Sequence, residues 1–332
     1  MRGTFVLGLG FFLLTFGLSP RVSADVAGAK KEGKVVVYGS LETGTVNILK
    51  KAFKERYGVD LEYWWSSSTK ITDRITTEFR AGKQLFDVTL NHRPLLKIMK
   101  KEGIVGTLSS PAFKFFPPEL VDPEVGPAYR HVIIGILFNQ AYIKDEQAPK
   151  SYEDILNPKW KGKFVMADPT RHTTTIQWLA NFHKIMGKER ADRFIKGLGA
   201  QKPVLVDSIT PAAQKILTGE VPIGFTFTKY IVIFGKEGAK LDYVKVDKML
   251  GDGQYMGVSS KPPHPNAAQL FIDYFLSEEA MKVLADVGET VTRRGVYPAL
   301  KDADKIKFVE FDELDEKGFA EKTQEYRKIF FQ

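Results

Sequence analysis

A dense run of polar side chains joins an apolar segment to an amphipathic one in the stretch KFVMADPTRHTTTIQWLA, residues 163–180. Arg171 lies in this run, and a guanidinium can bind a carboxylate or phosphonate through two parallel hydrogen bonds. Thr173 and Thr174 follow it and offer hydroxyls together with the first N–H groups of the next helix. Because helix N-termini favour negative charge, this combination predicts an anion-binding joint.

His172 raises the alternatives of metal binding and catalysis, and the rest of the sequence argues against both. The five histidines lie on unrelated segments without metal-ligand spacing, and there is no cysteine. A hydrolase would need a nucleophile, a base and an orienting group, yet no G-x-S-x-G or H-E-x-x-H motif occurs. We therefore expect no enzymatic activity, no resident metal and no cofactor. A structural alternative stays open, in which Arg171 pairs with Asp168 or Glu189.

Short apolar segments alternate with amphipathic segments along the chain, as in an α/β protein. The β-branched run Lys34–Ser40 is predicted to be a buried strand. The next segment places Val46, Leu49 and Phe53 on one helical face and ends at Gly58, a favourable C′ residue. Two further strand–helix units follow, and parallel neighbours need such crossovers, so we predict a doubly wound, mostly parallel sheet. The middle of the chain repeats the pattern, with helices expected at Thr174–Met186, Lys188–Lys196 and Thr210–Thr218.

Two α/β halves of similar size indicate a clamshell of two lobes, each a doubly wound sheet flanked by helices. In open α/β sheets, ligands bind beyond the carboxyl ends of the strands. The residues at these positions are mostly hydroxyl and amide groups with a few bases, as in a site for a small polar molecule. The candidate ligand-binding residues are Ser40, Thr43, Ser67, Ser68, Asn91, Arg171, Thr173, Thr174, Ser208, Thr226, Lys229 and Tyr230. Helix capping, worth about 1 kcal/mol, is the alternative role for each serine and threonine.

The N-terminus and the composition bound the cellular context. Residues 1–24 have the basic start, apolar run and small-residue cleavage site of a secretory signal peptide. Loss of Arg2 and Arg21 with this peptide lowers the formal net charge from +8 by two. The lysines form no block of like charges and no nucleic-acid-binding module is present. We expect an exported, monomeric protein of a bacterial periplasm with no nucleic-acid partner.

Several segments resemble the solute-binding proteins of ABC transporters, in the group that includes ferric-iron-binding proteins. The first is GKVVVYGSLETGTVNILKKAFKERYGVDLEYWWSSSTKITDRITTEFRAGKQLFDV, and the others are ILFN, NPKWKGK, ADPT, LTGEVPIGF and LFIDYFLSEEAMKVLADVGE. The resemblance runs from about residue 33 to residue 298 and implies a type II periplasmic binding fold whose partner is an ABC permease in the inner membrane. We expect a first lobe of residues 25–131 plus 258–300 and a second lobe of 132–257 plus 301–332.

The resemblance leaves the ligand open. Ferric-binding members hold iron with two adjacent tyrosines after the strand that matches VPIGFTFT, whereas this chain has Lys229 followed by Tyr230. The acidic ligand expected near the first strand would be Glu42. Ferric iron prefers anionic oxygens, and one tyrosine beside a lysine is a poor site for it. We therefore favour a small anionic solute, such as a carboxylate or phosphonate. A ferric ion or ferric–anion complex held by Tyr230 and Glu42, a role beside a membrane sensor and an exported hydrolase are the alternatives. The sequence does not decide which of Trp64 and Trp65 faces the cleft.

Overall fold

The computed structural model describes residues 25–331. The predicted signal peptide therefore lies outside the described residues. Within them the chain is a mixed α/β protein, as the sequence predicted, with a large sheet flanked by helices. No helix in the described part of the chain has the length and apolar character needed to cross a membrane.

Strands and helices alternate through most of the chain. The strands are β1 (Lys34–Gly39), β2 (Asp60–Trp65), β3 (Val88–His92), β4 (Val121–Asp122), β5 (Gly126–Pro127), β6 (Arg130–Asn139), β7 (Val165–Ala167), β8 (Val204–Val206), β9 (Ile223–Phe227), β10 (Leu241–Tyr243), β11 (Met249–Val258), β12 (Thr290–Val291) and β13 (Phe308–Glu310). The α-helices are α1 (Val26–Glu32), α2 (Thr43–Tyr57), α3 (Ser68–Arg80), α4 (Arg93–Lys101), α5 (Thr173–Ala180), α6 (His183–Met186), α7 (Lys188–Ala200), α8 (Ile209–Thr218), α9 (Lys229–Gly235), α10 (Pro265–Phe275), α11 (Glu278–Asp286) and α12 (Glu316–Phe330). Short 3-10 helices lie at Pro111–Phe115, Pro118–Leu120, Glu153–Leu156, Pro158–Trp160 and Ala303–Lys305.

The sheet is parallel inside each lobe and antiparallel where two long strands join the lobes. Its order is β2-β1-β3-β11-β6-β9-β7-β8. In the first lobe β1 pairs in parallel with β2 and β3, and in the second lobe β7 pairs in parallel with β8 and β9. Strands β6 and β11 are antiparallel to each other, β6 is antiparallel to β9 and β11 to β3, whereas the short strand β13 pairs in parallel with β11. They are the connections that place the two lobes side by side.

The crossing strands change lobe within a few residues. Strand β11 pairs with β6 over 251–254 and with β3 over 254–258. Strand β6 pairs with β9 from Ile134 onward. This pairing favours a crossing near 130–133 and 251–254, slightly earlier in β11 than the expected boundary at 257/258. The assignment of residues to the two lobes stays a proposal.

Separate apolar cores hold the two lobes. In the first lobe, β1 residues such as Val35 and Val37 pack with Phe271 and Phe275 of α10, all of them buried. In the second lobe, Trp178 of α5 is fully buried, and Phe182 meets it edge to face with ring centroids 4.6 Å apart. Such an aromatic pair adds about 0.5–1.5 kcal/mol beyond the burial of its area. Helix α12 packs against α5 and α7, which agrees with the proposed assignment of the C-terminal residues to the second lobe.

The helix expected at Thr174–Met186 is instead two helices, α5 and α6. The break lies at Asn181, whose side chain donates to Gln177 O and to Asp312 O and accepts the N–H of Asp312. These bonds tie the chain after β13 to the end of α5. Since the partner is distant in sequence, the local pattern could not reveal the break. Gly58 does end α2 as predicted, with a left-handed φ of 72°.

Candidate functional site

The strands of both lobes end at the crossing strands, and polar residues gather there. The last residue of β3 pairs with Gln254 in β11, and the last residue of β9 pairs with Ile134 in β6. The strands parallel to β3 and β9 end at the same edges, and most are followed by a helix. This is the position at which open α/β sheets bind ligands. The candidate site therefore lies where the two carboxyl edges meet.

Two of the predicted serines stand at helix N-caps without capping. Ser67 precedes α3 and Ser208 precedes α8, and among residues 25–331 neither hydroxyl accepts an N–H from the first turn of its helix. By contrast, Ser277 accepts from Ala280 N in α11, and Asp315 accepts from Gly318 N in α12. Capping, the alternative role considered for Ser67 and Ser208, is therefore not what the structure places there. Ser67 is exposed and Ser208 is half-buried, so their hydroxyls are available to an outside partner beside the helix N-termini.

The remaining first-lobe candidates differ in exposure. Ser40 and Ser68 are half-buried and Thr43 is exposed, all three near helix starts at the carboxyl edge. Asn91 is fully buried, donates through Nδ2 to Thr72 Oγ1 at 3.0 Å and accepts the N–H of His92 through Oδ1 at 2.9 Å. Asn91 therefore ties the end of β3 to α3, and its contact with a ligand stays a prediction.

The polar joint after β7 has an internal half and an external half. Asp168 is buried, and its Oδ1 accepts from the backbone N–H of Thr170 at 2.8 Å and from its hydroxyl at 2.7 Å. His172 caps α5, since its Nδ1 accepts the N–H of Thr175 at 3.2 Å. Burial lowers the pKa of His172, which favours the neutral ring that this acceptor role requires. The structure therefore assigns His172 to capping.

The external half of the joint consists of Arg171, Thr173 and Thr174. Thr173 is exposed and Thr174 is half-buried in the first turn of α5. The Arg171 side chain is 69% exposed, with Nη1 3.0 Å from Asp207 Oδ1 and Nε 3.8 Å from Asp168 Oδ2. Exposed pairs of this kind contribute about 0–1 kcal/mol. Arg171 can therefore exchange its carboxylate partner for a ligand at small cost.

Two candidates in and after β9 are held within the second lobe. Thr226 is fully buried and its hydroxyl donates to Ile209 O at 3.2 Å, so it joins β9 to α8. The Tyr230 hydroxyl lies 2.7 Å from Thr210 Oγ1, and its ring stacks on Phe234 with centroids 5.2 Å apart. The role of both residues in ligand binding stays a prediction.

Lys229 crosses from the second lobe to the first. Its Nζ lies 2.7 Å from Glu42 Oε1 and 3.4 Å from Glu289 Oε1. Arg130 completes this group, with Nη1 2.6 Å from Glu289 Oε2 and 3.6 Å from Glu42 Oε2. Two cations and two carboxylates alternate where β9 and β12 lie end to end along the same edge of β6. We call Glu42, Arg130, Lys229 and Glu289 the interlobe ion group.

The charges of this group stabilise one another. Burial alone would raise the pKa of Glu42, but the charges of Arg130 and Lys229 hold that pKa below its usual value. Burial alone would lower the pKa of Lys229, but Glu289 and Glu42 raise it. Glu42, Arg130 and Lys229 are therefore held in their charged forms, and removing one member of the group leaves an uncompensated charge on its partner. Arg130 and Glu289 were not identified from the sequence. The available signal for Arg130 was its position as a single arginine at the start of the apolar strand β6.

The ferric alternative is poorly supported by this arrangement. Its two proposed ligands have other partners, because Glu42 pairs with Lys229 and Arg130 while the Tyr230 hydroxyl pairs with Thr210. A lysine ammonium beside Glu42 repels a trivalent cation. The residues present thus do not fit a ferric ion held by Tyr230 and Glu42.

The two tryptophans have different surroundings. Trp64 packs edge to face on Tyr38 at 5.2 Å, with the Arg74 guanidinium 4.3 Å from its ring centroid. Trp65 is 57% exposed at the carboxyl end of β2, directly before Ser66 and Ser67. Of the two, Trp65 is the ring available to a ligand.

A family model places the chain among known proteins. The model for bacterial extracellular solute-binding proteins matches residues 83–317. This match covers more than half of the sequence and includes β3, the crossing strands and the strands of the second lobe, whereas β1 and β2 lie outside it.

Solved structures share the two-lobed fold. Iron-bound HitA from Pseudomonas aeruginosa is 21% identical, with a TM-score of 0.68 over 89% of this chain and 99% of that chain. AfuA from Actinobacillus pleuropneumoniae with bound fructose-6-phosphate is 20% identical, with a TM-score of 0.63 over 90% and 97%. The substrate-binding protein of an ABC transporter from Agrobacterium tumefaciens is 14% identical, with a TM-score of 0.70 over 94% and 100%. At these identities the likeness establishes the fold alone.

Proposed function

Because the chain belongs to the family of bacterial extracellular solute-binding proteins, we propose that it captures a small anionic solute between its two lobes. As a periplasmic binding protein of the ABC-transporter type it is not expected to be an enzyme; its partner is a membrane permease. Closure follows from population shift, since a solute that contacts both lobes favours the closed arrangement by its differential affinity.

The single observation that carries the anionic assignment is the pair of uncapped serines. Ser67 and Ser208 belong to different lobes, and each offers a hydroxyl beside the first N–H groups of a long helix. Helix N-termini concentrate partial positive charge and unsatisfied donors, which suits a carboxylate, phosphonate or phosphate group. A neutral ligand would gain the hydrogen bonds without the electrostatic contribution.

The exposed half of the polar joint supports the same ligand class. Arg171 is held by weak exposed pairs, and Thr173 and Thr174 lie at the start of a third helix, α5. A charge-assisted hydrogen bond contributes about 1.5–3 kcal/mol, so a few of them reach the roughly −8 kcal/mol of micromolar binding after ordering costs. Lys229 contributes charge indirectly in this proposal, because Glu42 and Glu289 already occupy its ammonium.

A thermal-shift screen tests the proposal. The mature chain is melted alone and with a dicarboxylate, a phosphonate, a sulfonate, fructose-6-phosphate and ferric citrate, with neutral fructose as the control. At about 100 times the dissociation constant, mass action adds ~2.7 kcal/mol, which raises the melting temperature by several degrees. We expect at least one anion to produce this shift. Absence of a shift with every anion, or an equal shift with fructose, would contradict the anionic assignment.

Arg171→Ala sharpens the screen. We expect it to weaken binding of the active anion strongly while the melting temperature of the empty protein stays nearly unchanged, because its present pairs are exposed. Arg190→Ala is the matched control, since Arg190 is also an exposed arginine paired with a carboxylate, Glu153, but on α7. Unchanged affinity in Arg171→Ala would remove this residue from the site.

A further inference from the structure

A second polar group lies on the other side of the crossing strands from the interlobe ion group. Strands β3 and β13 lie end to end along one edge of β11, so their carboxyl ends meet. His92 ends β3, Asp252 lies in β11, and Glu313 follows β13. His92 Nδ1 is 3.2 Å from Asp252 Oδ1 and 3.5 Å from Glu313 Oε1. One ligand atom from each residue lies within 4.8 Å of those of the other two.

Without an ion, the hydrogen-bond donors and acceptors around His92 Nδ1 do not match. Gln254 is buried, and its Nε2 lies 3.2 Å from His92 Nδ1 and 3.2 Å from Asp252 Oδ2. If Nδ1 carries a proton, it faces an amide donor. If Nδ1 carries no proton, the two carboxylates face each other without a positive charge between them. One ring nitrogen cannot satisfy a donor and two acceptors at once.

Nearby cations do not neutralise the two carboxylates. Arg130 already has Glu289 at 2.6 Å, and Arg93 has Glu310 at 3.3 Å. Asp252 and Glu313 therefore share the imidazole of His92 as their positive partner. When Nδ1 is unprotonated, a bound cation would supply the missing charge and accept its lone pair; when Nδ1 is protonated, binding would release that proton to solvent.

The spacing suits a transition-metal ion. Two ligands at the ~2.05 Å bond length of zinc to nitrogen or oxygen, in tetrahedral geometry, are about 3.3 Å apart. The observed separations of 3.2 and 3.5 Å bracket this value. The three side chains are 15–28% exposed, so the position is shielded yet open to an ion from solution. One imidazole and two carboxylates suit a divalent ion of intermediate hardness better than Ca²⁺ or Mg²⁺, which prefer all-oxygen sites.

We propose that His92, Asp252 and Glu313 bind a divalent transition-metal ion, with Zn²⁺ as the reference ion. Rotation of the Gln254 amide brings its oxygen toward the same position as a fourth ligand. This site uses neither Tyr230 nor Glu42 and is separate from the ferric alternative. It goes beyond the solute-binding role and does not depend on the identity of the solute.

The ion would fix the arrangement of the lobes. His92 belongs to the first lobe and Asp252 to a crossing strand, whereas the residues on both sides of Glu313 are anchored to the second lobe. Asp312 N donates to Asn181 Oδ1 at 2.8 Å, and Leu314 N donates to Gln177 Oε1 at 2.8 Å. A single ion at this position would therefore link these three segments and hold their spacing when the lobes move.

Calorimetric titration of ZnCl₂ into the chelator-treated mature chain tests the site without any solute. We expect one ion per chain with micromolar or tighter affinity, and at least a tenfold loss in both His92→Ala and Glu313→Gln. Thermal melting of each apo variant checks folding, and Glu313→Gln keeps the size of the side chain. His183→Ala is the control, because His183 is exposed and bonds only the carbonyl of Ala180 among its described contacts.

Two results would overturn the site. The first is no Zn²⁺ binding by the wild-type chain in the micromolar range. The second is an affinity that His92→Ala and Glu313→Gln leave unchanged, or that falls equally in His183→Ala, because either pattern places the ion elsewhere. Anion binding in the thermal-shift screen is scored separately, so failure of one proposal leaves the other intact.

Discussion

Lys229 Nζ, at the start of α9 in the second lobe, lies 2.7 Å from Glu42 Oε1, which follows β1 in the first lobe. The contact belongs to a group in which Arg130 and Glu289 complete alternating charges. A lysine in this place supplies positive charge permanently, whereas a metal-binding protein would need the ion to do so. The pairing therefore joins the lobes without a ligand and argues against a ferric ion beside Glu42.

Removal of the Lys229 charge should loosen the two lobes. Lys229→Gln leaves Glu42 and the buried Glu289 with Arg130 as their remaining partner, and we expect a loss of about 1–3 kcal/mol in the free energy of unfolding. Small-angle scattering of the empty variant should give a larger radius of gyration. Lys188→Gln is the control, since Lys188 pairs with Asp192 at 2.7 Å inside one helix. Equal effects of both variants would contradict an interlobe role.

The uncapped serines give a prediction that separates binding from stability. Ser67→Ala and Ser208→Ala should each weaken binding of the anion identified in the screen about tenfold, the equivalent of ~1.4 kcal/mol, and leave the empty protein as stable as before. Ser277→Ala should do the reverse, because Ser277 caps α11 and lies outside the site. It should cost about 1 kcal/mol of stability with unchanged affinity. Titration calorimetry and urea unfolding measure the two quantities. A stability loss in Ser67→Ala and Ser208→Ala with normal affinity would assign these serines to the fold.

Iron binding should depend on the residue at position 229. The wild-type chain with ferric citrate should develop no visible tyrosinate–iron absorption, because Tyr230 stands alone and bonds Thr210. Lys229→Tyr restores two adjacent phenols and releases Glu42 from its ammonium, so we expect the band to appear in the variant. Tyr230→Phe in the Lys229→Tyr background is the control and should abolish the band. A band in the wild-type protein would reinstate the ferric alternative.

The burial of His131 predicts that the folded protein loses stability in acid. Its ring is fully buried in β6 and contacts Phe308, with neither nitrogen hydrogen-bonded within the described chain, and burial lowers its pKa to about 4. Between its ordinary pKa near 6.5 and that value, the unfolded chain binds a proton that the folded chain excludes. Stability therefore falls as the pH drops from about 6.5 toward 4, by up to ~3 kcal/mol from this residue.

His131→Phe isolates this contribution. The difference in unfolding free energy between the variant and the wild type should change with pH between 7 and 4.5 in favour of the variant. Because His92 has a raised pKa and works in the opposite direction, the comparison between the two proteins is the informative quantity. A difference that is independent of pH would mean that His131 gains a partner on protonation.

The spacing of apolar residues was enough to predict the strands and helices that depend on nearby residues alone. The strand from Lys34, the amphipathic face of α2 and the glycine that ends it were all predicted, since each depends on neighbours within a few residues. The position of polar residues at strand ends was predictable for the same reason. The break between α5 and α6 was not, because Asn181 ends the helix through Asp312, far away in the chain.

The partners of the site residues could not be predicted from sequence patterns. Arg130 was not singled out, because its ion pair with Glu289 forms only when β6 and β12 come together. Whether a serine caps a helix or leaves its hydroxyl outside depends on side-chain rotation, which residue type does not encode. Ser67 and Ser277 occupy the same kind of position and behave differently. The sequence thus predicts a site at the carboxyl ends of the strands, and the structure distinguishes which of the predicted side chains already have partners.

Small-angle scattering of the mature chain with and without anions tests the central claim most directly. Samples contain a dicarboxylate, a phosphonate or fructose-6-phosphate, each at a saturating concentration and compared with neutral fructose. If an anionic solute is held between the lobes, at least one anion decreases the radius of gyration while fructose leaves it unchanged. An unchanged radius with every anion, or an equal decrease with fructose, would contradict capture of an anion in the cleft.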